Sequence, residues 1–161
     1  MVLNTELTQE KSANAPVSVT ILGSTGSVGV NTVDLITRNP ELYTVEALTA
    51  NKNFELLAKQ ARQVKAKFVV VADESKYLDL KNVLSGSGIE IAAGEQSVAD
   101  AAIRPSDRVM AAIVGTAGLI PTLRAVERGA IIGLANKECL VSAGQLFCEE
   151  VRKAGAELLP V

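Results

Sequence analysis

From Val17 onward the chain repeats one cycle. A short aliphatic, often β-branched run ends in Gly, Asn or Asp, and a segment with helical apolar spacing follows. The candidate strands are residues 17–22, 44–49, 68–72, 89–93, 108–114, 130–135 and 157–161. Most are continuously apolar rather than alternating, as in "FVVVA" at residues 68–72. Continuous apolarity suits strands covered on both faces, the usual condition of a parallel sheet. The segments between them carry helix signals. In "NKNFELLAKQARQV" Asn53 stands where an N-cap belongs, Phe54, Leu57, Ala58 and Ala61 share one face, and Glu55 favours the positive helix start. Gly29, Val33 and Ile36 share a face of the first helix, which Asn39-Pro40 ends. Asp73 is placed to cap "ESKYLDLKNVL", Arg104-Pro105 ends the helix before Arg108, and Gly129 closes the helix in "GLIPTLRAVERG". About six right-handed crossovers then put helices on both faces of one twisted sheet. The predicted fold is α/β: a Rossmann-like, doubly wound, mostly parallel sheet of about seven strands.

Composition narrows what such a domain does. The 161 residues suffice for one domain with a buried core, and with 48% apolar but only 3% aromatic residues that core is aliphatic. Sixteen basic residues face eighteen acidic ones, with no long basic run, so no nucleic-acid partner is expected. The sequence contains no histidine, which excludes His bases and His metal ligands within it. Cys139 and Cys148 show neither metal-ligand spacing nor a disulfide framework, so a reducing, cytoplasmic location is expected. No apolar run is long enough to span a bilayer, and no membrane partner is expected. Residues 1–15 are polar, carry Glu6 and Glu10 and lack the apolar centre of a secretory signal; they read as a disordered tail before a domain of residues 16–161.

The stretch "ILGSTGSVG" puts Gly23, Gly26 and Gly29 at a strand exit and helix entry. Gly23 permits the tight turn, Gly26 lets a diphosphate approach the backbone, and Gly29 lets the helix pack close to the sheet. Free N–H groups from Ser24 to Val28 and the helix dipole favour an anion there, and Ser24, Thr25 and Ser27 add hydroxyl donors. G-x-x-G-x-x-G by itself is weak evidence, since three glycines also simply shape a tight turn. Its place at the front of an alternating α/β domain points to a dinucleotide. An NAD site wants an acid at the tip of the second strand to hold the ribose diol. Here that tip reads "ALTANKN", with Glu46 inside the strand and Lys52 in the turn, which favours NADP(H).

Two further turns share this edge of the predicted sheet. "VGTAGL", with Gly115, Thr116, Ala117 and Gly118, lets a cofactor lie against backbone or merely lets a helix start pack closely. In "LANKEC", Asn136 caps the next helix and Glu138 suits its dipole, but Lys137 adds positive charge where the helix end is already positive. A nearby substrate anion would offset that cost. The thiols lack a histidine partner and read as bystanders, so no catalytic residue is assigned.

Together, "GSTGSVG", "MAAIVGTAGLIPTL", "LANKECLV" and the terminal "LLPV" resemble the amino-terminal part of the 1-deoxy-D-xylulose 5-phosphate reductoisomerases, over residues 17–161. The resemblance implies an enzyme of the methylerythritol phosphate route to isoprenoids. It rearranges 1-deoxy-D-xylulose 5-phosphate and reduces the resulting aldehyde with NADPH to 2-C-methyl-D-erythritol 4-phosphate. It further implies Mg²⁺ or Mn²⁺, a homodimer, and inhibition by fosmidomycin. Carried over by residue, Thr25, Gly26, Ser27 and Val28 form the diphosphate turn. Asn51, Lys52 and Asn53 form the adenosine-phosphate turn, with Asn51 in place of the family's glycine. Asn136 and Glu138 lie by the cofactor, and Lys137 contacts substrate. In the family an Asp-Ser-Glu segment carrying the first metal ligands follows "LLPV". On this reading residues 16–161 are the NADP-binding domain, ending before the catalytic domain, and bind cofactor without turnover. Two other readings remain open at this point: another NADP-dependent dehydrogenase of the semialdehyde type, and a non-catalytic nucleotide-sensing module.

Overall fold

The computed structural model describes residues 15–161, so all but the last residue of the expected tail lies outside the described residues. All seven predicted runs are strands: β1 (Val17–Leu22), β2 (Tyr43–Ala50), β3 (Phe68–Val71), β4 (Glu90–Ala93), β5 (Arg108–Ala111), β6 (Ile131–Leu134) and β7 (Glu157–Pro160). They form one sheet in the order β4-β3-β2-β1-β5-β6-β7. Every neighbouring pair is parallel, so the sheet is wholly rather than mostly parallel. The strand order reverses between β1 and β5, and a doubly wound sheet opens a crevice at the carboxyl end of such a reversal.

Six helices make the crossovers: α1 (Ser27–Arg38), α2 (Phe54–Gln63), α3 (Tyr77–Val83), α4 (Glu95–Ile103), α5 (Leu119–Glu127) and α6 (Lys137–Ala154). The expected stops hold. Asn39 is the C-cap of α1, Arg104 that of α4, and Gly129 follows α5 with φ +73°. Asn53 caps α2 by accepting from Leu56 N at 3.2 Å. Asp73 caps a short 3-10 turn, Glu74–Lys76, that leads into α3.

The core divides by face. Val19, Ile21, Val45, Leu48, Val69 and Val71 pack beneath α1, α2 and α3 through Val33, Ile36, Leu57, Ala61, Leu80 and Leu84. On the opposite face Ala47, Phe68 and Val70 meet Val98 and Ala101 of α4. There too Leu22, Val109, Ala111, Ile132 and Leu134 meet α5 and α6 through Ala125, Val126 and Phe147. Over β5, β6 and β7 the first face is thinner: Met110, Ile131 and Gly133 are half-buried and Leu159 is exposed. Between Val19 and Thr20 the pairing of β1 with β2 skips one residue, from Val45 to Ala47. Glu46 is therefore the extra residue of a β-bulge. That bulge is why Val45 and Leu48, three apart, share a face.

Candidate functional site

The crevice expected at the reversal is present as a cleft of about 790 Å³ at the carboxyl ends of the strands. Its walls come from the β1–α1 turn (Gly23, Thr25, Gly26), the tip of β2 (Thr49, Asn51), the start of α4 (Glu95, Gln96) and the segment after β5 (Ala112, Thr116, Ala117). A second hollow, about 660 Å³, lies at the other edge of the sheet among Arg62, Lys65, Lys67 and residues 85–89. Arg62 Nη2 donates to Val83 O at 2.5 Å, at the negative carbonyl end of α3, and Lys67 pairs with Glu46 at 2.8 Å. Two of its three cations are thus engaged within the fold, and the residues expected at a dinucleotide fall on the first cleft.

The three glycines differ in what demands them. Gly23 has φ +84°, and a Cβ there would lie 2.8 Å from Ala112 O. A Cβ on Gly29 would fall on Gly23 O and lie 2.5 Å from Ser24 Cα. Gly29 thus seats α1 against the turn backbone rather than against the sheet itself. Gly26 is under no such pressure: its φ is −78°, and a Cβ would meet only Gly23 O at 3.6 Å and Ala112 O at 3.9 Å. Among the described residues nothing forbids a side chain at Gly26, which is exposed on the cleft wall.

Gly26 is also the N-cap of α1, with no side-chain cap. The first intrahelical bond runs from Val30 N to Gly26 O at 2.8 Å. The N–H groups of Ser27, Val28 and Gly29 are therefore unpaired within the helix, at its positive end. Ser27 is exposed, and Thr25 and Val28 are half-exposed. A helix start of this kind can cradle an anion with backbone alone, and its residues fit the diphosphate of a dinucleotide.

Ser24 requires a correction. Its hydroxyl, expected as a ligand donor, is fully buried and donates to Gln60 Oε1 at 2.8 Å. Gln60 Nε2 donates back to Ser24 O at 2.8 Å, and Ser24 N donates to Thr49 O at 2.8 Å. Ser24 supports the turn from behind and offers the cleft no donor.

At the tip of β2, Asn51, Lys52 and Asn53 are all exposed. Lys65 is the one non-glycine residue with positive φ among the described residues. Asn51 in place of a glycine therefore needs no left-handed backbone. Glu46 is held away from this turn by Lys67 Nζ at 2.8 Å and Arg104 Nε at 3.0 Å. Burial raises its carboxyl pKa, but the hydrogen bonds from Lys67 and Arg104 outweigh that and leave it below the ordinary glutamate value. One acid that the sequence reading placed only as a helix cap stands beside the turn. Asp73 N donates to Asn51 O at 2.9 Å. Its carboxylate accepts from Ser75 N at 3.0 Å and Ser75 Oγ at 2.6 Å, bonds that lower its pKa, and so is turned toward Ser75.

Gly115 adopts φ +71°, ψ −165°, a conformation open only to glycine, although a Cβ there would meet nothing within 4 Å. Backbone conformation alone, not crowding, requires glycine at this position. Asn136 is 3% exposed and braces this segment. Its Nδ2 donates to Ile113 O at 2.6 Å and Gly115 O at 2.8 Å, while its Oδ1 accepts from Glu138 N at 2.9 Å. Lys137 and Glu138 are exposed in the first turn of α6. They stand one strand beyond β5 and do not line the cleft.

Cys139 is buried, and desolvation pushes its thiol pKa up. Cys148 is exposed. Among the described residues no three His, Cys, Asp or Glu side chains converge as a metal site. Also among them, no helix is long and apolar enough to cross a membrane.

A backbone anion cradle at the strand reversal of a seven-stranded parallel sheet defines a Rossmann-like domain of the dinucleotide-binding kind. The sequence model of the 1-deoxy-D-xylulose 5-phosphate reductoisomerases matches residues 19–144. The chain belongs to that family. The reductoisomerase of Rhodospirillum centenum is 60% identical over 144 residues, covering 89% of this chain and 36% of its own length. That of Bradyrhizobium diazoefficiens is 55% identical over 148 residues, covering 92% and 36%. The Zymomonas mobilis reductoisomerase, solved in complex with NADPH, superposes with a TM-score of 0.89 at 51% identity, over 91% of this chain and 39% of that one. A reductoisomerase solved with NADPH, fosmidomycin and magnesium superposes with a TM-score of 0.85 at 35% identity, over 89% and 36%. The chain thus spans a little over a third of the length of these relatives.

Proposed function

We propose that this domain is the NADPH-holding part of a 1-deoxy-D-xylulose 5-phosphate reductoisomerase. The observation that carries the reading is the uncapped start of α1. The N–H groups of Ser27, Val28 and Gly29, without partners inside the helix, lie beside Gly26, the one glycine of the three that packing among the described residues does not require. Thr25, Gly26, Ser27 and Val28 bind the diphosphate. Asn51, Lys52 and Asn53 receive the adenosine 2′-phosphate, with Lys52 as its counter-charge and the nearby Asp73 carboxylate engaged by Ser75. The backbone at Gly115, set by the Asn136 brace, borders the nicotinamide end, with Glu138 nearby. Lys137 reaches the anionic substrate. When bound, NADPH supplies the hydride that reduces the rearranged aldehyde.

As part of the whole enzyme, on this proposal, the domain serves conversion of 1-deoxy-D-xylulose 5-phosphate, NADPH and a proton to 2-C-methyl-D-erythritol 4-phosphate and NADP⁺. The proposal includes Mg²⁺ or Mn²⁺ and a second copy of the subunit, with the metal ligands outside the described residues, and a cytoplasmic setting. The 161-residue chain by itself is expected to bind NADPH without turnover.

Titration of the chain with NADPH and with NADH, followed by nicotinamide fluorescence, tests this; the sequence has no tryptophan to interfere. NADPH is expected to bind about tenfold or more tightly than NADH, and Lys52→Ala to erase most of that preference. Equal binding of the two, or binding of neither, would overturn the reading.

A further inference from the structure

We infer that Gln60 is a positioning residue for the cofactor: its buried carboxamide holds the turn of residues 23–29 in fixed relation to α2, the helix that begins at the Asn51-Lys52-Asn53 turn. The inference rests on the NADPH reading above and extends it to a residue that does not line the cleft.

The buried residues of α2 are Leu57, Ala58, Gln60 and Ala61. Three of the four are aliphatic, and an aliphatic side chain would also fill the fourth place. A carboxamide, 3% exposed, is unfavourable there unless it is paired. It is paired in both directions with a single residue. Oε1 accepts from Ser24 Oγ and Nε2 donates to Ser24 O, each at 2.8 Å. Ser24 is the residue between Gly23, which makes the tight turn, and Thr25, which faces the cleft.

The other supports of this turn come from the same neighbourhood. Thr49 Oγ1 accepts from Gly23 N at 3.0 Å, and Thr49 O accepts from Ser24 N at 2.8 Å. Thr49 belongs to β2, which runs into Asn51, and Gln60 belongs to α2, which starts after Asn53. The two elements flanking the second anion turn therefore both grip the first. Gln60 lies two helical turns, about 10 Å, along α2 from Asn53, so the helix acts as a rigid strut between the turns. A dinucleotide joins its diphosphate to its 2′-phosphate at a set distance. A site whose two cradles keep that distance before binding avoids the ordering cost of assembling them.

The test uses the 161-residue chain with Gln60→Leu, Gln60→Met, Ser24→Ala, and Ser24→Ala combined with Gln60→Leu. Three quantities are measured: affinity for NADPH, affinity for adenosine 2′-monophosphate, and amide hydrogen exchange at residues 25–29 without ligand. Gln60→Leu and Gln60→Met are each expected to weaken NADPH about tenfold, the loss of one buried hydrogen-bonded link. Adenosine 2′-monophosphate, which occupies the second turn alone, is expected to hold its affinity within about twofold. Exchange at residues 25–29 is expected to speed up in each variant. The double variant is expected to add little to Gln60→Leu, because both changes break the same link.

Unchanged NADPH affinity and exchange in the Gln60 variants would overturn the inference. So would equal weakening of both ligands, which marks a general loss of fold. Failure of the unsubstituted chain to bind NADPH would instead count against the functional reading. Exchange at residues 25–29 would then decide the clamp on its own.

Discussion

Gly26 and Gly29 look equivalent in the motif, yet different partners require them. Alanine at Gly29 puts a Cβ onto the backbone of Gly23 and Ser24, and neither can yield without lifting α1 from the turn. Such overpacking is expected to destabilise the chain by about 3 kcal/mol. Alanine at Gly26 meets only ordinary contacts. The melt should move by no more than about 1 kcal/mol, the scale of an N-cap change. NADPH affinity should nevertheless fall about tenfold or more, because the new methyl occupies the approach of the diphosphate. Thermal melts and NADPH titrations of the two variants check the pair. Equal destabilisation by both would break the distinction. Ser24 shows the limit of motif reading at a single position. A serine between strand and helix reads as a ligand donor, and only its burial against Gln60 shows that it faces the other way.

Among the elements, β2 departs most from its pattern. The bulge at Glu46 turns a carboxylate toward Lys67 and Arg104, and Arg104 also bonds Glu90 of β4 at 2.8 Å. The Arg104 guanidinium lies 4.6 Å from the Phe68 ring centroid. A charge on β2 is thus tied to β4 across β3 and to the end of α4. Lys67 is 64% exposed, so solvent screens much of its attraction. Glu46→Gln is accordingly expected to cost only about 1–2 kcal/mol at neutral pH. Because folding lowers the Glu46 pKa, the folded state holds this proton more weakly than the unfolded state. Its stabilisation is full above the unfolded glutamate value, about 4.3, and is lost as pH falls through the lower folded value. Denaturant midpoints should therefore differ between the two proteins at neutral pH and converge in acid. A gap that persists well below that range would contradict the ion-pair account. The brace from Asn136 works similarly between elements. Its sequence signal, an N-cap residue after a strand, was legible; its two donors to Ile113 O and Gly115 O were not.

The whole molecule is organised about the boundary between β1 and β5. The cleft is lined by the ends of β1 and β2, by α4 and by the segment after β5. A ligand seated there bridges chain segments far apart in sequence, so binding and global stability are linked. At a NADPH concentration a hundredfold above its Kd the gain is about 2.7 kcal/mol. For a domain of this length that raises Tm by roughly 5–10 °C. NADH at the same concentration should give a clearly smaller shift. Scanning calorimetry with each nucleotide measures this, and identical shifts would remove the basis for assigning Lys52 to the 2′-phosphate.

The number and order of strands and helices, and the stops at Pro40, Pro105 and Gly129, followed from the chain read in isolation. Those features arise from sterics, capping and apolar spacing over a few neighbouring residues. The same holds for the glycine turn as a helix start with backbone N–H groups left over, because that depends on one strand exit and one helix entry. Closure of the sheet decided the rest. Ser24 meets Gln60 across 36 residues, and Ser18 N meets Asp107 across 89. No local preference predicts which hydroxyl turns inward, where a bulge relieves the register, or which amide is buried to receive a serine. Each is the outcome of competition for partners among groups that share space only once all seven strands are side by side.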